Sequence, residues 1–376
     1  MASPKDTTTI SRSLSNQLDL SGIGDKSLAG VIGDSPSHYS KSPRIWNAAF
    51  QHLGLNAVYL PFDVAEDRLG DLLNALRGYE SFLGANVTVP HKLAVMSFLD
   101  SIDVGAQRIQ AVNTIVKASD GKLIGYNTDG EGFVDSVLKR QPDRRASFVS
   151  SLKAMNVLLI GAGGSARAVA FHLSDEMVGG KLLLCNRTRE HAASLAREIQ
   201  KTGKDALAIS EEELSLWAPN VGLIVNSTTK GQGGIRRMSN GTATLLEPYS
   251  ALAPAHPPVF AATEVDRTNF QDRWRKAASA DIESNNQASI KLAESIPSAT
   301  GFYDLVYHPE ESPFLRHGRA TGHPTMNGKA MIINQAALAF CKRICQAELR
   351  DRAIDTPETY DEILEVMYSA WESRHS

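Results

Sequence analysis

Cysteine is scarce in this chain. Cys185, Cys341 and Cys345 are the only three in 376 residues, too few and too odd in number for a disulfide framework, so a reducing, cytoplasmic setting is expected. Cys341 and Cys345 could share a helix face, but no histidine pair completes a zinc set; they read as packing residues, and no metal site is expected. No apolar run approaches the roughly 20 residues needed to span a bilayer. Charge of one sign is lacking too: 39 Lys and Arg against 42 Asp and Glu give a net charge of −3. That balance leaves no electrostatic footprint for nucleic acid or an acidic membrane surface. No repeat of fixed period is visible. What remains is 42% hydrophobic residues in a chain long enough for two cores.

Residues 1–26 are rich in Ser and Thr and lack a helical apolar face, so a disordered tail is expected. Its only two cations before Lys26, Lys5 and Arg12, are too few for a transit peptide, and no secretory pattern is present. From Leu28 the pattern alternates strand and helix: "LAGVIGD", "SPRIWNAAFQHLG", "AVYLPFDV", "AEDRLGDLLNALRGY", "GANVTVP", "HKLAVMSFLDSI". This predicts an α/β domain over 27–139 with a mostly parallel sheet. The polar, basic "RQPDRRASFVSSLKA" marks a boundary, and "NVLLIGAGGSARAVAFHL" restarts the alternation in a second domain over 150–325. Within it, about 231–300 lacks clear periodicity, with a polar, partly helical stretch around 266–295, and reads as a functional flap or a disordered insertion. Helices close the chain over 326–376.

Gly161, Gly163 and Ala166 fit G-x-G-x-x-G/A between an apolar strand and an alanine-rich helix. Such a loop, Gly161-Ala162-Gly163-Gly164-Ser165-Ala166, gives a tight turn, a close backbone approach to pyrophosphate and tight helix–strand packing. The helix N-terminus offers free amides to the phosphates. At the end of the next strand, where an NAD site carries an acid, stand Asn186, Arg187, Thr188 and Arg189. A guanidinium there suits a 2′-phosphate, so NADP is expected, with NAD the second possibility. Arg189 is equally well read as a surface charge.

In "NVTVPHK", Val87 and Val89 alternate with Asn86 and Thr88 as in a strand with one buried face, and Pro90 ends regular pairing. His91 and Lys92 then sit just past a strand end, where α/β proteins present their chemistry. Taken alone, Lys92 is as well read as a solvated charge and His91 as a packing residue.

Taken together, "SKSP" (40–43), "NVTVPHK" (86–92), "AVNTI" (111–115), "GYNTDGEGF" (125–133), "GAGGSARA" (161–168), "NRT" (186–188) and "QAALAF" (335–340) resemble the shikimate/quinate dehydrogenase family, in the family's order. The resemblance implies an N-terminal substrate-binding domain, a Rossmann domain, and last helices returning to the first domain. It implies reversible hydride transfer between NADP and a ring hydroxyl of a cyclohexene or cyclohexane carboxylic acid. Carried over by position, Ser40 and Ser42 would bind the carboxylate, with Tyr307 close by. Asn86, Thr88, Asn113, Asp129 and Gln335 would bind ring hydroxyls, and Lys92 with Asp129 would form the catalytic pair. Burial favours a neutral lysine while a neighbouring carboxylate favours the charged form, so the two act as one coupled dyad. Asn127 and Thr128 would shape the turn presenting Asp129, and one serine of "SKSP" could also cap the helix after it.

The resemblance implies a shikimate enzyme, acting as monomer or homodimer without nucleic-acid or membrane partners. Quinate or an amino analogue is the alternative substrate, and a non-catalytic sensor of such ligands is an alternative of another class. Three features depart from the family pattern: the N-terminal tail, the insertion, and Gly328-Lys329-Ala330-Met331 where Gly-Leu-Gly-Met is usual. Replacing Arg187 with Asp should weaken NADP binding more than NAD binding; unchanged selectivity in a titration of both would contradict the 2′-phosphate assignment.

Overall fold

The computed structural model describes residues 8–18, 20, 23–238, 240–265 and 269–373. It divides into two units: residues 1–135, 141–145 and 332–376, and residues 136–140 and 146–331. The expected boundaries near 139–150 and 325 thus shift. The first falls late in a helix that begins at Asp129, and the second three residues into the helix that begins at Lys329.

The first unit begins with α1 (Thr8–Ser13), β1 (Ser27–Gly33), α2 (Pro36–Tyr39), α3 (Ser42–His52), β2 (Ala57–Asp63), α4 (Leu69–Gly78) and β3 (Phe82–Val87). It continues with β4 (Ser101–Ile102), α5 (Val104–Ile109), β5 (Thr114–Lys117), β6 (Leu123–Tyr126) and α6 (Asp129–Leu138). The sheet order is β2-β1-β3-β5-β6-β4. β1 pairs in parallel with β2 and β3, whereas β5 is antiparallel to both β3 and β6. β4 pairs in parallel with β6, so the sheet is mostly parallel as expected, with β5 alone running against the other five strands. A tight connection centred on Asp120-Gly121, with Gly121 at φ +85°, allows β5 and β6 to pair as a hairpin.

Two further expectations change here. "HKLAVMSFLDSI" forms a 3₁₀ turn, Ala94–Phe98, and the short β4. That turn buries only Val95, so no apolar stripe holds a longer helix. Within residues 1–26, the described part is ordered. Ile10, Leu20 and Ile23 join the first unit's core, and Asn16 bonds Pro61 O and Asp63 N along the edge strand β2. Residues 1–7 lie outside the described residues.

The second unit carries β7 (Val157–Ile160), α7 (Gly164–Glu176), β8 (Leu182–Cys185), α8 (Arg189–Gln200), β9 (Ala206–Ile209), α9 (Leu214–Trp217) and β10 (Leu223–Asn226). β11 (Ile235–Arg237), β12 (Thr242–Leu245), β13 (Phe260–Ala261) and α10 (Phe270–Ser295) follow, then β14 (Gly301–Asp304), α11 (Pro313–Ala320) and β15 (Thr325–Met326). The order β15-β14-β10-β7-β8-β9, parallel throughout, is the Rossmann order read from its far edge. The chain ends with α12 (Lys329–Ala339), a π turn at Phe340–Ile344, α13 (Gln346–Asp351) and α14 (Pro357–Glu372). Phe340 packs at 5.2 Å from Trp46, which stacks on Tyr59 at 4.7 Å, so the chain's end completes the first unit's core.

The insertion is an ordered module. β11, β12 and β13 make an antiparallel sheet, and Ala243, Leu245, Tyr249, Phe270, Trp274 and Ala278 form a core of their own. Trp274 Nε1 donates to Pro258 O at 2.7 Å, and Asn285 accepts from Ser250 N while donating to Ala253 O. The buried face of α10 includes Asn285 and Ser289, polar residues that conceal a helical stripe from a hydrophobicity pattern.

Two buried groups of this unit titrate with opposite consequences. Asp304 accepts from Asn226 Nδ2, Val306 N and Ser312 Oγ, yet burial pushes its carboxyl up from 3.8 to about 7. Burial, aided by Arg316, lowers His317 from 6.5 to about 4. Between about 4 and 7 the folded chain holds the extra proton on Asp304, so this group's contribution to stability falls as pH rises. Between about 4 and 6.5 the unfolded chain binds the extra proton on His317, so stability rises with pH. Asp304→Asn removes the first effect. Its urea midpoint should climb more steeply than wild type across that window, and parallel profiles would contradict the account.

Candidate active site

The carboxyl end of β3 delivers Lys92 and the start of α6 delivers Asp129. Lys92 Nζ donates to Asp129 Oδ2 at 2.5 Å, with side chains 13% and 6% exposed. Lys92 is thus no solvated charge. His91 is buried beside it, with Nε2 2.9 Å from Val64 O, which is the packing role expected of it. Asn127 Oδ1 accepts from Asp129 N at 3.0 Å, so the turn before α6 aims the carboxylate.

Behind the pair lies a buried carboxamide cluster. Asn113 Nδ2 donates to Asp129 Oδ1 at 2.8 Å and reaches Gln335 Oε1 at 3.3 Å. Asn113 Oδ1 accepts from Thr128 N at 2.8 Å and Thr114 Oγ1 at 2.9 Å. Asn86 donates to Thr114 Oγ1 and accepts from the Tyr59 hydroxyl at 2.7 Å. Burial raises the Tyr59 hydroxyl well above its ordinary value, which keeps it a neutral donor. Gln335 enters because Gly132 lets α6 touch α12: a Cβ there would stand 2.6 Å from Gln335 N.

The structure thus brings Lys92, Asp129, Asn113, Asn86 and Gln335 into one linked cluster. Ser40, Ser42 and Thr88 have no bond to it among the described residues, though they occupy the carboxyl ends of β1 and β3 and the α3 start. Ser40 Oγ accepts from Ser42 N at 3.2 Å, a first-turn amide of α3, and Ser42 is buried. Tyr307 belongs to the second unit, beyond β14, where burial raises its hydroxyl.

In that second unit Gly161 ends β7 at φ +121°, with Ser227 so close that a Cβ would meet its Oγ at 2.4 Å. Among the described residues, no atom beyond its chain neighbours approaches within 4 Å of a Cβ placed on Gly163. The turn through Ala162, Gly163 and Gly164 is therefore open to a close-lying group. No side chain caps the start of α7, which holds Ser165 and Ala166. Asn186 Nδ2 donates to Thr188 O and shapes the loop after β8. Arg187 is exposed with no carboxylate partner among the described residues, while Arg189 lies 4.0 Å from Glu213. Open backbone, a helix start without a side-chain cap and an uncommitted guanidinium fit a dinucleotide with a 2′-phosphate. Lys329 opens α12, and its N donates to Asn327 Oδ1 at 3.2 Å.

Comparison with known proteins agrees. The model of the shikimate dehydrogenase substrate binding domain matches residues 31–115, and that of shikimate / quinate 5-dehydrogenase matches residues 144–243. An NADP(+) shikimate dehydrogenase of Carboxydothermus hydrogenoformans is 34% identical over 321 residues, 85% of this chain and 92% of the relative. The chain belongs to the shikimate/quinate dehydrogenase family. Among solved members, the Thermus thermophilus shikimate 5-dehydrogenase with NADP(H) and shikimate has a TM-score of 0.60 at 28% identity, covering 91% of this chain and 99% of that one. The Corynebacterium glutamicum quinate dehydrogenase with NAD has a TM-score of 0.62 at 25% identity, covering 92% and 99%.

Sequence reasoning missed Tyr59 and Thr114, which hold Asn86 and Asn113 in place in this member of the shikimate/quinate dehydrogenase family. Both lie on strands, and a hydroxyl at an otherwise apolar, buried position was the available signal. Gly132→Ala gains about 1 kcal/mol of helix propensity but meets backbone that cannot yield, an overpacking cost of about 1–3 kcal/mol. The clash should win: thermal unfolding should fall by several degrees and KM for the ring substrate should rise. Equal or higher stability would show that α6 and α12 can part without cost.

Proposed function

We propose that this chain is an NADP-dependent shikimate dehydrogenase, interconverting 3-dehydroshikimate and shikimate. The observation that carries the reading is the Lys92–Asp129 pair at 2.5 Å, mostly buried and backed by the Asn113 carboxamide. The Gly161–Ala166 turn, with Arg187 toward the 2′-phosphate, would hold the dinucleotide, which when bound would supply the hydride as NADPH and accept it as NADP+. In reduction the ketone oxygen gathers negative charge, and the Lys92 ammonium gives it a proton. In oxidation the neutral amine takes the hydroxyl proton. Asp129 holds the lysine in position and balances its charge, Asn113 keeps the carboxylate from turning away, and Asn127 fixes the Asp129 backbone amide.

Asn86, Thr88, Asn113 and Gln335 bind ring hydroxyls in this reading, and Ser40, Ser42 and Tyr307 the carboxylate. Buried carboxamides suit this task, because a ring lacking the matching hydroxyl leaves them unpaired. A cytoplasmic enzyme acting on a small carboxylate accounts for the balanced charge. No helix among the described residues is long and apolar enough to cross a membrane.

NADPH absorbance should respond to shikimate with NADP and far less to quinate or with NAD. Lys92→Ala should lose about 10²–10⁴-fold in turnover while the Kd for shikimate changes far less. Intact turnover in that variant would end the dyad reading. Measurable shikimate binding by the wild type without turnover on either ring would favour a sensor.

A further inference from the structure

The cofactor edge of the second unit holds a second guanidinium that the glycine motif does not announce. In the sheet, β7 lies between β8 and β10. Arg187 stands just past the carboxyl end of β8, and Thr229 just past that of β10. Arg236, on β11 of the inserted sheet, donates through Nη1 to Thr229 Oγ1. The two arginines therefore reach the same edge from both flanks of the glycine turn. Strand alternation separates Arg236 from its neighbour, since Arg237 donates instead to Ala262 O.

The charges of the two arginines also act on one another. Desolvation first, and then the Arg187 charge, disfavour the charged form of Arg236. Among the described residues neither arginine has a carboxylate partner. Two unneutralised guanidinia held near one another repel, and a doubly charged anion between them relieves that repulsion while accepting from both forks. The insertion supplies the rigidity such a clamp needs: Gly231 N bonds Leu246 O, Gly233 N bonds His308 O, and the sheet sits on Trp274 and Phe270.

We propose that Arg236, carried by the inserted sheet, clamps the 2′-phosphate of the dinucleotide together with Arg187, making the insertion a determinant of cofactor choice. The proposal rests on the NADP reading above. It extends that reading to a residue far along the chain from the glycine loop.

Calorimetry with 2′,5′-ADP and 5′-AMP on the full-length protein tests it without turnover. Wild type should prefer 2′,5′-ADP. Arg236→Gln should lose about tenfold or more of that preference, as expected for charge-assisted hydrogen bonds, with 5′-AMP binding unchanged. Arg236→Lys should recover part of it. Arg237→Gln, one residue along and turned toward Ala262, should bind both probes as wild type does. A full preference retained in Arg236→Gln would overturn the clamp and leave the NADP reading standing. An equal loss in Arg237→Gln would assign the effect to the hairpin's fold and overturn it too. A wild type without preference would overturn both readings.

Discussion

Asn113 must satisfy a full set of donors and acceptors at a position only 2% exposed to solvent, and the first unit is arranged around that demand. Its amide nitrogen needs acceptors, which Asp129, Thr128 and Gln335 provide; its oxygen needs donors, which Thr128 N and Thr114 Oγ1 provide. Those partners come from β5 and from the starts and middles of two helices separated by about 200 residues of chain. Each bond therefore fixes a relation between elements as well as a side chain. Leaving one group unpaired would cost about 1–3 kcal/mol, so the arrangement has few alternatives. A carboxylate held from behind in this way leaves its other oxygen to Lys92, and the Lys92–Asp129 pair is in effect the front of a polar core.

The second unit meets a different constraint with backbone rather than side chains. Phosphate recognition needs amides and space, and a positive-φ glycine followed by an uncapped helix start supplies both. The tight contact of Gly161 with Ser227 ties the turn to β10 as well as to β7, so two neighbouring strands shape it. The insertion enters this edge from a third direction, with its own small core as a support.

Much of this was legible from local chemistry. Strands with unbroken apolar runs, such as Val157–Ile160, and helices with clear stripes, such as Leu69–Gly78, read directly as what they are. So did the turn that presents Asp129. Short elements were harder: β5 and β6 have four residues each, and only Asp120-Gly121 hinted at their pairing. The helix α10 was legible only in part, as a polar, partly helical stretch, because its buried face uses Asn285 and Ser289, which read as surface until their partners Ser250 and His317 are known. The N-terminal residues misled for a similar reason: a polar segment with few apolar residues can still seal an edge strand through Asn16.

The chain alone determined which segments are strand or helix where periodicity is strong, that a dinucleotide turn exists, and which residue types are fit for proton transfer, because those properties reside within a few consecutive residues. It could not determine whether Lys92 is solvated or paired, whether Gln335 meets Asn113, or that Arg236 bonds Thr229. Each of those is a relation between residues brought together by sheet order and helix contact. Only the tertiary structure sets the distance, and at these polar groups distance and burial decide the chemistry.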